Sequence, residues 1–415
     1  MKYTIQNNID LRGYKVDSIF ILLFVASIII FSYQEGNSYI TKLLSLPLVI
    51  IFAIRIILLN YKIIIPIEFY LVGLWLLYSI ISGIFAIDFD VFIHQYLICI
   101  QVIGIAFILF NLLFWLNNPT LISLCIYIST LAMSVYVFHS PKLYYIQDRL
   151  AGRLNNANLY ALALILSYVY ALKKILSSKY ISIKLIFFAS IPFILFLIGE
   201  TGSRKGIVGV VLLSLLVMLF HYGEIIKKSL LYGILLFLMF IAIIIISFYF
   251  ISESKHIHRL ENVFSYIKSG NITEVDSSLR GRIKFYEYGW RTVVEHPFLG
   301  VGLNNFSLIR AGSSYSSIGT YAHSNIIELM ASTGFVGFAI YYSIYISIVV
   351  KLVKLKKRLW NSWSLENKEN YIATFALILV FIMYDFAMVS YYEKLSWVIL
   401  SSIIASTEFL RKTIV

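Results

Sequence analysis

Apolar runs of roughly 20 residues recur from one end of this chain to the other, each long enough to cross a bilayer as a helix. In hydrocarbon every backbone N–H and C=O needs an internal partner, so only helices or a closed barrel can span. The runs are too long for barrel strands and lack their apolar–polar alternation. The expected fold is therefore all-α: a polytopic membrane bundle of about twelve transmembrane helices with a large outward-facing helical loop. Composition agrees. Of 415 residues, 60% are hydrophobic and 13% charged, about half the charge fraction of a soluble domain.

The expected spans are 16–33, 40–59, 66–87, 93–116, 119–138, 158–176, 183–199, 206–221, 229–251, 334–350, 371–390 and 394–410. Residues 1–251 then form the first part of the bundle, 252–333 the loop, and 334–415 the last part. Basic residues gather on one set of connections: Lys173, Lys174, Lys179 and Lys184 on one, Lys351, Lys354, Lys356, Lys357 and Arg358 on another. Lys and Arg accumulate on cytoplasmic loops. Both termini are expected in the cytoplasm, and 139–157, 199–206 and 252–333 outside the cytoplasmic (inner) membrane. The net charge of +13 is read as topological, so no nucleic-acid partner is expected. Cys99 and Cys125 lie inside apolar runs and make neither a disulfide framework nor a metal spacing. The first apolar stretch lacks a small-residue cleavage site, so it is not expected to be a signal peptide.

The polar exception is Ser277–Gly337. From Arg280 to Glu295 polar residues recur as Arg280, Lys284, Glu287, Arg291 and Glu295, with Ile283, Tyr286, Trp290 and Val293 on the complementary face. That is helical spacing, and such a helix can lie flat at a membrane surface. Pro297 ends it, and GVGLNNF supplies a turn. Asn325-Ile-Ile-Glu328 reads as an N-cap with a capping-box glutamate. His323, just before it, would sit in the positive field of a helix N-terminus, which favours a neutral, proton-accepting imidazole. His296, His256 and His258 have weaker claims, and His296, before Pro297, is read as only shaping a turn.

Several motifs occur in order: DRLAGRLNNAN at 148–158, TGSR at 201–204, RxxxYExGW at 282–290, HPFLGVGLNNF at 296–306 and HSNIIELMASTGFVG at 323–337. Together they resemble the bacterial O-antigen ligase and repeat-unit polymerase superfamily, polytopic glycosyltransferases that act on undecaprenyl-diphosphate-linked saccharides outside the cytoplasmic membrane. The resemblance implies catalytic roles for Arg204, Arg282 and His323. Arg149, Arg153, Arg280, Asn325 and Asp385 join as substrate-binding candidates. Arg204 is either an interface arginine that snorkels or a fork that grips the diphosphate. Arg282 lies in a basic cluster that faces either solvent and headgroups or the site. Arg149 and Arg153 compete for one role. Asp385, near the outward end of a late span, either pairs with an arginine or serves the site.

No metal-ligand cluster, P-loop or nucleotide fingerprint is present in the sequence, so neither a metal nor a cofactor is expected. The donor implied by the resemblance already carries a diphosphate leaving group. The expected reaction is metal-independent, inverting glycosyl transfer to a lipid-linked repeat unit, as in an O-antigen or capsule polymerase. The alternative is a ligase that uses lipid A–core or another terminal acceptor. A lipid-linked saccharide flippase is a third reading, disfavoured because the spans hold few charges. Membrane lipids, a chain-length regulator and a dedicated flippase are the further partners implied.

Overall fold

The computed structural model describes residues 11–33, 38–139, 141–146, 148–228, 277–311 and 321–412, with positions 234, 238 and 241. Eight helices come first: α1 (Leu11–Ile30), α2 (Ser38–Ile57), α3 (Ile67–Ile84), α4 (Phe89–Trp115), α5 (Leu121–His139), α6 (Ala157–Ser177), α7 (Ile181–Glu200) and α8 (Arg204–Lys228). Then follow α9 (Ser277–Glu295), α10 (Phe306–Ala311), α11 (Asn325–Leu359), α12 (Leu365–Asp385) and α13 (Lys394–Lys412). The one described ladder is a two-residue antiparallel pair, β1 (Tyr145–Ile146) and β2 (Arg149–Leu150).

Seven of the described helices, α2 to α7 and α11, are long and apolar enough to cross a membrane. The chain is a multi-pass helical membrane protein. α1, α8, α12 and α13 coincide in position with other expected spans. The expected span 229–251, His256 and His258 lie outside the described residues. α6 is apolar on every side, and its residues from Leu159 to Lys173 are all buried. A helix of that pattern belongs in the core, and α5, α7, α8 and α12 surround it. Lys351, expected among the free cytoplasmic charges, instead bridges Glu68 at 2.8 Å and Glu408 at 2.6 Å.

The feature that positions the site is a break in α11. The tenth expected span begins at 334, but the chain is already helical from Asn325, and Gly334 interrupts it with φ 67° and ψ −177°. Residues 325–333 therefore form a buried half-helix. Its last carbonyls are satisfied from outside: Val301 N–H donates to Ala331 O at 3.0 Å and Gly302 N–H to Ser332 O at 2.9 Å. Phe335 N–H donates to Pro297 O at 2.8 Å. α3 clamps the same loop, with Ser82 Oγ donating to Leu299 O at 2.6 Å and Tyr78 hydroxyl to Phe298 O at 2.6 Å. Irregular backbone is tolerated at such depth only when protein satisfies it. A Cβ on Gly334 would lie 2.0 Å from Phe298 O, and one on Gly300 2.4 Å from the Ser332 carbonyl carbon.

Candidate functional site

Two connections meet at Arg149. Left-handed residues Asp148, Gly152 and Asn155 fold 148–155 back on itself, and Asn156 caps α6 by accepting from the Asn158 and Leu159 N–H groups. The Arg149 Nε–H donates to Thr201 O at 2.9 Å and Nη2 to Asn158 Oδ1 at 3.1 Å. Ser203 Oγ donates to the same Asn158 oxygen at 3.1 Å. An arginine at a helix C-terminus suits the open carbonyls there, and Thr201 is the cap of α7. Arg204, half-buried, opens α8 directly after this turn. Glu200 accepts a hydrogen bond from the Tyr145 hydroxyl. Arg153 turns the other way. It donates to Ile30 O at 2.9 Å and lies over the rings of Phe31 and Tyr136.

A further cation joins from α8. The Lys205 ammonium donates to Ala387 O at 2.9 Å and sits 4.7 Å from the centroid of Tyr384. The charges of Arg282, Arg149 and Asp385 all act on it. Arg282 comes from α9, which Tyr286 ties to the end of α12 by donating to Phe386 O at 2.8 Å. Arg282 is half-buried and makes no hydrogen bond to a described residue. Burial pushes the Tyr286 and Tyr321 hydroxyls up, while the charge of Arg282 pulls both down. The charge of Arg282 therefore acts both on Lys205 and on Tyr321, which lies against His323. Arg280, two positions earlier, is about 200° around the helix.

His323 has a left-handed backbone, φ 55°. Non-glycine residues adopt this rarely, and such strain collects at functional sites. Its ring stacks on Phe285 at 5.4 Å and meets Tyr321 at 4.4 Å. The helix cap differs from the expected one. Ser324 is the N-cap of α11, its side chain accepting from Ile327 N–H. Asn325 is the first helical residue and is fully buried. Its Oδ1 accepts from the Ser390 and Tyr391 N–H groups at 3.0 and 3.1 Å. Its Nδ2 donates to Asp385 Oδ2 at 3.3 Å. A serine hydroxyl one residue earlier reaches the free N–H, which releases the amide for this bridge. Glu328 skips the cap residue and accepts from Ala322 N–H at 2.7 Å. Asp385 also accepts from Ser390 Oγ at 2.6 Å and Tyr342 hydroxyl at 2.9 Å. Neutral donors thus hold it, and the arginine pairing considered from sequence is not among its described hydrogen bonds.

Residues 189–342 match a family model described as O-antigen ligase. Over those residues the chain is similar to the O-antigen ligase family. No curated protein matches the chain. Arg204, Arg280, Arg282, His323 and Asn325 fall within the matched segment, as do Lys205, the whole of α9 and the Gly334 break. Arg149, Arg153 and Asp385 lie outside it and reach it, or fail to, through the fold.

Around this segment the structure gathers Arg149, Lys205, Arg282 and Asp385 in one electrostatic neighbourhood. It turns Arg153 toward α1 and α5 and leaves His296 exposed at the end of α9. Lys205 was not singled out from sequence. Its signal was adjacency: a second cation directly after Arg204, at the start of the same helix. Among the described residues no three His, Cys, Asp or Glu side chains are grouped as metal ligands.

Proposed function

We propose that this protein is a glycosyltransferase of the O-antigen and capsule repeat-unit polymerase type. It extends a lipid-linked acceptor from an undecaprenyl-diphosphate-linked donor at the outer face of the cytoplasmic membrane. The observation that carries the reading is the excess of positive charge around Lys205, where Arg149 and Arg282 both act on the buried ammonium and Asp385 is the one carboxylate that does. Cations held together cost energy unless an anion joins them, and a diphosphate supplies one with oxygens enough for several donors.

In this reading the acceptor hydroxyl attacks the anomeric carbon. The carbon–oxygen bond to the diphosphate breaks, and undecaprenyl diphosphate leaves against Arg282, Lys205 and Arg204. His323 takes the hydroxyl proton. A single displacement of this kind inverts the anomeric centre. Preorganised cations stabilise the leaving charge in a site shielded from water, which is worth more there than in solution.

A second reading is the ligase, favoured by the description of the matched family. Donor chemistry is common to both, so the acceptor separates them. Purified full-length protein is given one labelled lipid-linked donor with either lipid-linked repeat units or lipid A–core. A ladder of lengthening chains from repeat units alone supports the polymerase. Transfer only to lipid A–core replaces it with the ligase. No product with either acceptor overturns both.

A further inference from the structure

α9 sorts its residues into three faces. Phe285, Gly289 and Val293 are buried, and a Cβ on Gly289 would sit 2.2 Å from the Ile327 side chain of the half-helix. The apolar face expected from sequence is thus mostly spent on protein, with Trp290 as the exception. Trp290 and Val294, one turn apart, are 53% and 64% exposed. Lys284, Glu287, Arg291 and Glu295 are exposed too. At about 100° per residue they fill the adjoining arc. A boundary between apolar and charged surface therefore runs along the helix. The charges of these four exposed residues cancel one another.

The apolar strip continues onto the exposed apolar face of α11. The Trp290 ring meets Phe335 edge-on at 6.4 Å. Phe335 and Val336 are exposed and begin the long part of α11, whose outer face continues through Ile346 and Val350. Phe298 is 69% exposed, and Tyr78 of α3 holds its carbonyl. Both α3 and α11 are long and apolar enough to cross a membrane.

We infer that Trp290, Val294 and Phe298 form a seat that rests among the acyl chains of the leaflet on the site side. Indole rings favour the interface, and a helix split into apolar and charged strips lies along it. Arg282 is eight residues from Trp290, about 12 Å along the helix axis. The seat thereby fixes α9 and its arginine at headgroup level. It holds whether or not the protein transfers sugars.

The test uses full-length protein carrying one nitroxide-labelled cysteine in nanodiscs of phosphatidylethanolamine and phosphatidylglycerol. Cys99 and Cys125 are buried. The variants are Glu287→Cys, Trp290→Cys, Arg291→Cys, Val294→Cys and Phe298→Cys. Collisions with oxygen, which partitions into lipid, are compared with those of a water-soluble nickel chelate. Oxygen should dominate at 290, 294 and 298, and nickel at 287 and 291, with no change in high salt. Nickel dominance at 294 and 298 overturns the seat. So does exclusion of both colliders there, which would mean that a second copy or another segment covers the strip. Should Trp290→Cys misfold, positions 294 and 298 decide alone.

Discussion

The Glu328 carboxylate accepts a hydrogen bond from the Ala322 backbone N–H at 2.7 Å, so an acid buried in the half-helix holds the residue that precedes His323. Glu328→Gln keeps a carbonyl oxygen in place, whereas Glu328→Ala leaves the N–H unpaired and frees the strained turn. Leaving a buried donor without its partner costs about 1–3 kcal/mol. Glu328→Ala should lose product formation about tenfold or more, with donor binding kept, and Glu328→Gln should stay within a few-fold. Equal loss in both variants would show that the negative charge matters and not the backbone contact.

Gly334 should tolerate no side chain. Its φ and ψ are open essentially to glycine alone, a penalty of about 1–3 kcal/mol by itself, and a Cβ would strike Phe298 O. Gly334→Ala should lower the temperature at which the detergent-solubilised protein aggregates. Gly104→Ala, where nothing lies within 4 Å of the added carbon, should leave it unchanged or raised. Matching curves for the two variants would contradict the broken-helix account.

The two arginines of the 148–158 segment should separate. Arg149 donates through two nitrogens, to Thr201 O in the 199–206 turn and to Asn158 Oδ1 of α6, and a lysine cannot reproduce that fork. Arg153 donates to Ile30 O and lies over two rings, away from that turn. Arg149→Lys should lose most polymer while Arg153→Lys keeps most of it, measured as chain length in membranes with equal protein. The opposite ranking would put Arg153 in the site.

Much of the helix layout was legible because bilayer thickness imposes a length on apolar runs. Helices occupy eleven of the twelve expected spans, and 229–251 lies outside the described residues. The half-helix was not legible. Residues 325–333 contain Asn325, Glu328, Ser332 and Thr333, too polar to count as membrane-embedded until the 297–305 loop is seen satisfying their backbone. Directions of side chains were also hidden. Arg149 and Arg153 are four residues apart, yet the left-handed Gly152 between them sends them to different neighbours. Lys205 was passed over because its neighbour Arg204 accounted for the motif. Periodicity placed Trp290 on the apolar face of α9 but cannot distinguish a face against protein from one against lipid.

Product formation should persist in excess chelator. The proposed counter-charges to the diphosphate are side chains, and no grouped ligand set occurs among the described residues. Purified protein with a lipid-linked donor is assayed with and without chelator, then with added magnesium or manganese. Activity lost in chelator and restored by either ion would assign the diphosphate charge to a metal.

The central claim divides the site into a cationic diphosphate side and a histidine on the acceptor side. It is tested most directly by measuring donor binding and product formation on the same purified His323→Ala and Arg282→Lys variants. A general base contributes about 10²–10⁴-fold. His323→Ala should bind the undecaprenyl-diphosphate-linked donor as the parent does and form almost no product, while Arg282→Lys should lose both. A His323→Ala protein that no longer binds donor, or that still extends chains at the parent rate, would contradict the account.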